Sequence, residues 1–320
     1  MRPRAVLGAV LLALGCAAKP HPVPPQYQPV ASVIEVVATL RRHLPDDTYR
    51  FQPGLDFTGR NIYRASLIRL ESIQSVHADS LRAGNLDDVI AYSKARALER
   101  LRAYDLAAES HRLAAEHDGP LRDEARKAAS LDDGLAEAIQ IGYDPNRPLR
   151  NGAQPVPAPS DPNRAVADYD RRLALLDALG DEANGTFLES VVKEEVERTD
   201  VTRAHYFVAR RNLDPNGNVR ALAELQRVMT RHRESKNANR HMLALADLYA
   251  AMAEEYVDER PPESLFFDPP AFQELVDSAS QLYEAVANQD GTPEKLEAAR
   301  RLEAFLAFTL RVDRDRFTPQ

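Results

Sequence analysis

The feature that most constrains this chain is a helical hydrophobic period that stops and restarts along its whole length. Between Ser32 and Leu44, the residues Val33, Val36, Val37, Leu40 and Leu44 recur three or four apart, and Pro45-Asp46-Asp47 ends the run. Apolar residues at that spacing share one face of a helix. The same pattern predicts helices over 61–83, 87–101, 104–117 and 120–140. After a proline-rich interval it returns over 162–179, 186–213, 218–234, 237–257, 270–288 and 293–312. Gly84-Asn85 and Asp118-Gly119-Pro120 have the chemistry of helix ends, with Gly past a C-terminus and Pro near a first turn. Residues 48–60, with Pro53-Gly54 and three aromatic rings, read as an ordered loop. No stretch alternates with the period of two that a half-buried strand requires. The expected fold class is all-α.

Composition agrees. The chain is rich in Ala, Leu, Arg, Glu and Asp, has only 13 Gly and lacks Trp, a balance that favours helix. Its 320 residues suffice for one large domain or two smaller ones. A formal charge of −8 argues against nucleic acid as a partner, because that function needs a basic footprint. One cysteine, Cys16, cannot make an intramolecular disulfide and provides no zinc framework.

The N-terminus carries the most specific signal. Arg2 and Arg4 precede an uncharged apolar run from Ala5 to Leu14. That run has the dimensions of a signal-peptide core and is too short to span a bilayer, which takes about 20 apolar residues. No later segment repeats it, which excludes a polytopic membrane protein. Leu12-Ala13-Leu14-Gly15-Cys16 resembles the lipobox of bacterial lipoproteins. The resemblance implies cleavage after residue 15 and lipidation of Cys16 by palmitate-type chains. It further implies an address in the cell envelope, since Ala17 is not the Asp that retains such proteins at the inner membrane. The expected location is the outer membrane, facing the periplasm. Two or three acyl chains anchor stably where one does not.

Domain organisation follows from the prolines. Residues 1–15 read as signal peptide. Residues 16–29 hold Pro20, Pro22, Pro24, Pro25 and Pro29 and read as an extended tether. An N-terminal helical block covers 30–142, a Pro-rich linker 143–161, a C-terminal helical block 162–312, and a charged tail 313–320. The insertion PPESLFFDPP at 261–270 is expected to lay Leu265, Phe266 and Phe267 over an apolar surface.

Internal repetition sharpens the fold class. Ala107–Gly119 (AAESHRLAAEHDG) and Ala279–Gly291 (ASQLYEAVANQDG) align without gaps. Small residues coincide at Ala107/Ala279, rings at His111/Tyr283, and small apolar residues at Ala114/Val286. Small residues four and seven apart let a neighbouring helix approach, and a ring fills the gap between them. This resembles the second helix of a tetratricopeptide repeat (TPR). Ala221, Leu225 and Val228 resemble another such helix, and Leu245, Ala246 and Tyr249 the first helix of the following unit. Residues 231–238 (RHRESKNA) are similar to the inter-repeat turn of periplasmic and outer-membrane TPR proteins. The resemblance implies a TPR-like helical-hairpin array, an α-solenoid continuous or in two blocks, that binds protein partners of the envelope on a concave surface.

No catalytic constellation is legible, and no cofactor is expected. There is no HExxH, P-loop, G-x-G-x-x-G or G-x-S-x-G, and His111 and His117 fall on different helix faces, so no metal site is predicted. The acidic pairs Asp87-Asp88, Asp132-Asp133, Glu194-Glu195 and Glu254-Glu255 are adjacent in sequence and read as solvated faces or helix-dipole partners. His232 and His241 read as a solvated pair. A basic run stands out in an acidic protein: Arg227, Arg231, Arg233, Lys236 and Arg240. It is the candidate docking patch for an acidic partner or anionic glycan. The expected function is therefore a membrane-anchored, non-enzymatic scaffold for envelope assembly, secretion or pilus machinery. The alternatives are a cell-wall-acting helical enzyme and a purely structural envelope lipoprotein.

Overall fold

A computed structural model of the chain describes residues 28–44, 54–83, 86–148, 154 and 156–317. Cys16, the apolar run before it and nearly all of the segment expected to be a tether lie outside the described residues. Among the described residues the fold is all-α, with α1 (Gln28–His43), α2 (Ile62–Ala83), α3 (Asp87–Arg100), α4 (Tyr104–Ala115), α5 (Arg122–Ala138) and α6 (Pro162–Ala183). There follow α7 (Glu189–Arg210), α8 (Gly217–Arg231), α9 (Ala238–Glu259), α10 (Pro269–Ala287) and α11 (Glu294–Phe317). Each helix packs against the next in sequence, and α1 also touches α3 while α9 touches α11. The chain is thus a helical-hairpin array built from local contacts.

Local chemistry sets the helix ends. The Asp161 carboxylate caps α6 by accepting from the Asn163 amide at 2.9 Å, and Pro162 opens the first turn. Pro269-Pro270 likewise open the first turn of α10, where Asp268 stands at the N-cap without a side-chain capping bond. Asp87 and Asp88 lie in the first turn of α3, where the helix dipole favours them. Gly217 is required between α7 and α8, because a β-carbon there would collide with the Arg211 carbonyl. At the sharp α3–α4 turn, Arg102 adopts a left-handed backbone with φ of 61°. This conformation costs a non-glycine residue about 1–2 kcal/mol.

The core runs without interruption through the proline-rich segment. Leu131 and Leu135 of α5 pack in one cluster with Leu173 and Leu176 of α6 and with Leu188, Val191 and Val192 at the start of α7. Gly134 allows this approach, since a β-carbon on it would stand 2.5 Å from the Leu179 side chain. The described part of 143–161 contains no helix, yet α5 and α6 pack directly across it.

The repeat positions face inward in both units. Ala107, His111 and Ala114 on α4 are buried, as are Ala279, Tyr283 and Val286 on α10. Each ring also bonds an acid on the preceding helix: His111 Nε2 meets Glu99 of α3 at 2.8 Å, and the Tyr283 hydroxyl donates to Asp247 of α9 at 2.7 Å. Ala221, Leu225 and Val228 of α8 share a cluster with Leu245 and Leu248 of α9.

The 261–270 insertion departs from expectation. Phe267 is buried against Tyr256 and Phe272, with ring centroids 5.6 and 5.5 Å away. Leu265 and Phe266 instead point outward and are almost wholly exposed. The short α9–α10 connection turns only one of the three side chains toward the core.

Candidate functional site

Helix α7 organises the centre of the array. Its apolar residues Val191, Val192, Val196, Ala204 and Phe207 are buried, but so are Glu194, Glu195, Glu197, Thr199, Asp200 and Thr202. A helix covered on all sides ordinarily reads as hydrophobic all round. This one buries four acids, and each is matched by cations or hydrogen-bond donors from other elements.

Glu195 is fully buried. It accepts from Arg102 Nε at 2.8 Å, from the Tyr104 hydroxyl at 2.8 Å and from Arg198 at 2.6 Å, and buried Arg172 lies 3.3 Å away. Burial alone would raise its pKa. The guanidiniums of Arg198, Arg102 and Arg172 outweigh burial and hold it far below the usual carboxylate range. Arg102 also reaches Asp144 at 3.0 Å and the Asn146 carbonyl at 2.8 Å. These bonds compensate the strained backbone of Arg102. Glu194 pairs with Arg100 and Lys236, both at 2.8 Å. The Glu194-Glu195 pair is therefore not a solvated face. Adjacent sequence positions point about 100° apart on a helix, and here both directions meet protein.

The basic run is distributed among these acids. Arg227 donates to Asp200 at 2.6 Å and to Glu224 at 2.9 Å. Arg231 reaches Asp200 at 3.1 Å and Asp177 at 3.5 Å. Arg240 pairs with Glu294 of α11 at 3.0 Å. Arg233 is exposed. His232 and His241 are buried, which corrects the expectation of a solvated pair. His232 Nε2 lies 2.9 Å from Asp200, and His241 Nε2 lies 2.6 Å from Glu197. Ser235 donates to the same Glu197 oxygen at 2.5 Å. The α8–α9 turn is thus pinned onto α7 by four of its polar side chains.

Two concavities flank this network. The larger, about 1280 Å³, is walled by α1, α3, the end of α6, the start of α7 and the α8–α9 turn. Arg41, Arg96, Arg100, Lys193, Arg231 and Arg233 line it, against the acids Asp177, Asp181, Glu189 and Glu234. Arg41 and Arg233 are exposed and have no ionic partner among the described residues. The smaller, about 290 Å³, lies between α7, α8 and α9 and includes Arg198, His205, Lys236, Asn237 and Arg240. Its acids Glu197 and Asp144 sit below their ordinary pKa, because hydrogen bonds and cations together exceed the upward push of burial. Such groups stay ionised at neutral pH and suit charge recognition better than proton donation.

A third polar cluster lies between α3, α4 and α5. Glu99, His111 and Asp132 are all completely or almost completely buried, and one ligand atom from each lies within 4.8 Å of the others. Asp132 thus departs from the solvated assignment, while its neighbour Asp133 is exposed and pairs with Arg112. Burial, then the Glu99 charge, push the Asp132 carboxyl up to about 10. Spacing within a single helix does not reveal such a set. This set draws one residue from each of three helices, a grouping only folding creates.

No protein-family model matches the chain, and no curated protein is similar enough to count as a relative. Among the described residues, no helix is long and apolar enough to cross a membrane.

Proposed function

We propose that this protein is a lipid-anchored scaffold of a bacterial envelope that binds protein partners in the large cleft of a TPR-like array. The observation that carries it is the cleft itself. Distant parts of the chain, from α1 to the α8–α9 turn, converge on one concavity of about 1280 Å³ whose wall carries more cations than acids. Part of its charge is already committed: Asp177 to Arg231, Glu189 to Lys193, and Arg100 to Glu194. Arg41 and Arg233 remain directed to solvent and suit an acidic or C-terminal carboxylate group of a peptide. Cys16, within its lipobox-like setting, supplies the anchor, and the following prolines hold the helical body away from the lipid surface.

Photo-crosslinkers placed at positions 41 and 233 test the cleft. In the native envelope they are expected to capture the same partner, and the pair Arg41→Glu and Arg233→Glu to abolish capture by a third cleft position such as Ser190. A crosslinker at Gln273, outside the cleft, should give none. Equal capture from Gln273, or none from the cleft, overturns the scaffold assignment. For the anchor, labelled palmitate should enter the wild-type chain and not Cys16→Ala.

A further inference from the structure

We propose that Glu99, His111 and Asp132 form a buried site for a divalent transition ion of the zinc class, fastening α3, α4 and α5 together. The donors come from three successive helices and converge on one point. His111 Nε2 lies 2.8 Å from Glu99 Oε1 and 3.7 Å from Asp132 Oδ2. Ligand atoms around a tetrahedral zinc stand about 3.3 Å apart, given bonds of about 2.0–2.2 Å. These two separations bracket that value, and all three ligand atoms lie within 4.8 Å of one another, so modest side-chain movements suffice to admit the ion.

The independent observation is Asp132. It is 0% exposed, is aimed at His111, and has no hydrogen-bond partner among the described residues for either carboxylate oxygen. A buried carboxyl without a partner is costly whether it carries a charge or a proton. An ion between it and His111 removes that cost directly. Glu99 is already steadied by Arg96, whose Nε lies 3.0 Å from its other oxygen. The His111 ring is wedged by Tyr92, edge-on at 5.1 Å, and by Phe187 at 6.3 Å, so Nε2 faces the two acids.

The donor set selects the class of ion. One imidazole nitrogen and two carboxylate oxygens suit zinc, cobalt, manganese or ferrous iron. Calcium and magnesium prefer oxygen alone and higher coordination, which a buried three-helix junction does not offer.

The test uses the full chain with any affinity tag removed. Elemental analysis is expected to find one zinc-class ion per chain. Cobalt added to chelator-treated protein should saturate at one equivalent and develop the visible bands of a low-coordinate site. Zinc in hundredfold excess over its Kd should raise Tm by about 4 °C. Asp132→Asn keeps the shape of the side chain and should abolish all three responses. Metal well below one equivalent, metal retained by Asp132→Asn, or no zinc-dependent rise in Tm overturns the site. Should Asp132→Asn fail to fold, the cobalt titration of the wild-type chain decides, and the lack of a saturable band overturns it.

Discussion

Two regions of this molecule bury charge, and they handle it differently. Around α7, the acids Glu194, Glu195, Glu197 and Asp200 meet Arg100, Arg102, Arg172, Arg198, Lys236, His232 and His241. Between α3, α4 and α5, Glu99 and Asp132 share one histidine and one arginine, and Asp132 is left without a hydrogen bond. The contrast teaches that burial alone does not decide the state of a carboxyl. Both sites are desolvated; the number of opposing cations sets the sign, so Glu195 is held ionised and Asp132 is driven toward its neutral form.

The largest way to break this comparison is Glu195→Gln. It removes the charge that faces buried Arg172, Arg102 and Arg198, leaves Arg172 only Asp144 at 3.5 Å, and turns one of the two acceptor oxygens into a donor, and should cost about 3–5 kcal/mol. Calorimetry should then show Tm lowered by about 4–8 °C. A loss below about 1 kcal/mol would mean that the network contributes little. The same carboxylates govern acid stability. Glu195, Glu197, Asp144 and Asp200 have folded pKa values below their ordinary 4.5 and 3.8. Their contribution is full above about pH 4.5 and is lost as pH falls through the folded values. Denaturant midpoints across pH 2–7 should drop on the acid side, and Glu197→Gln should flatten that limb.

A smaller effect sharpens the repeat correspondence. Tyr283→Phe deletes the bond to Asp247 while keeping the ring, and should cost about 0.5–1.5 kcal/mol in urea titrations. In chelator-treated protein, Asp132→Asn has no hydrogen bond to lose and should stay within about 1 kcal/mol of wild type. Comparable losses for Asp132→Asn and Glu195→Gln would erase the distinction between the two regions. The smallest change is expected at the insertion, where Leu265→Ser and Phe266→Ser should alter stability by no more than about 0.5 kcal/mol. A larger drop would show that these exposed side chains pack somewhere after all.

Much of the fold was legible in advance. Among the described residues, eleven helices lie where apolar period and breaker residues put them, because both signals act over a few residues, although α1 begins at Gln28, inside the expected tether, and α11 runs to Phe317, through most of the expected tail. The repeat alignment picked out inward-facing positions on α4 and α10 for the same reason. The buried polar residues were not legible. Glu194-Glu195 looked like a solvated face because α7 lacks a clean apolar stripe, and no local rule says that Arg102, Arg172 and Lys236 will gather around it. One signal was present: a helix with no apolar stripe, flanked by arginines at helix ends and turns, is a candidate for a charged core. The spacing of His111 to His117 carries no metal signal, because the partners of His111 lie 12 and 21 positions away on other helices.

The sequence by itself determined the helix class, most helix boundaries and the inward-facing positions on α4 and α10, because these depend on period, caps and breakers within one segment. Residues 12–16, whose resemblance to a lipobox carries the proposed anchor, lie outside the described residues. Tertiary structure alone decided that the core crosses the proline-rich interval and that the basic run pairs largely within the chain. It likewise brought α1 and the α8–α9 turn to one cleft, and Glu99, His111 and Asp132 to one point. The physical reason is range. Periodicity is a property of neighbours in sequence, whereas desolvation and Coulomb pairing depend on which distant side chains the packed helices bring within a few ångströms.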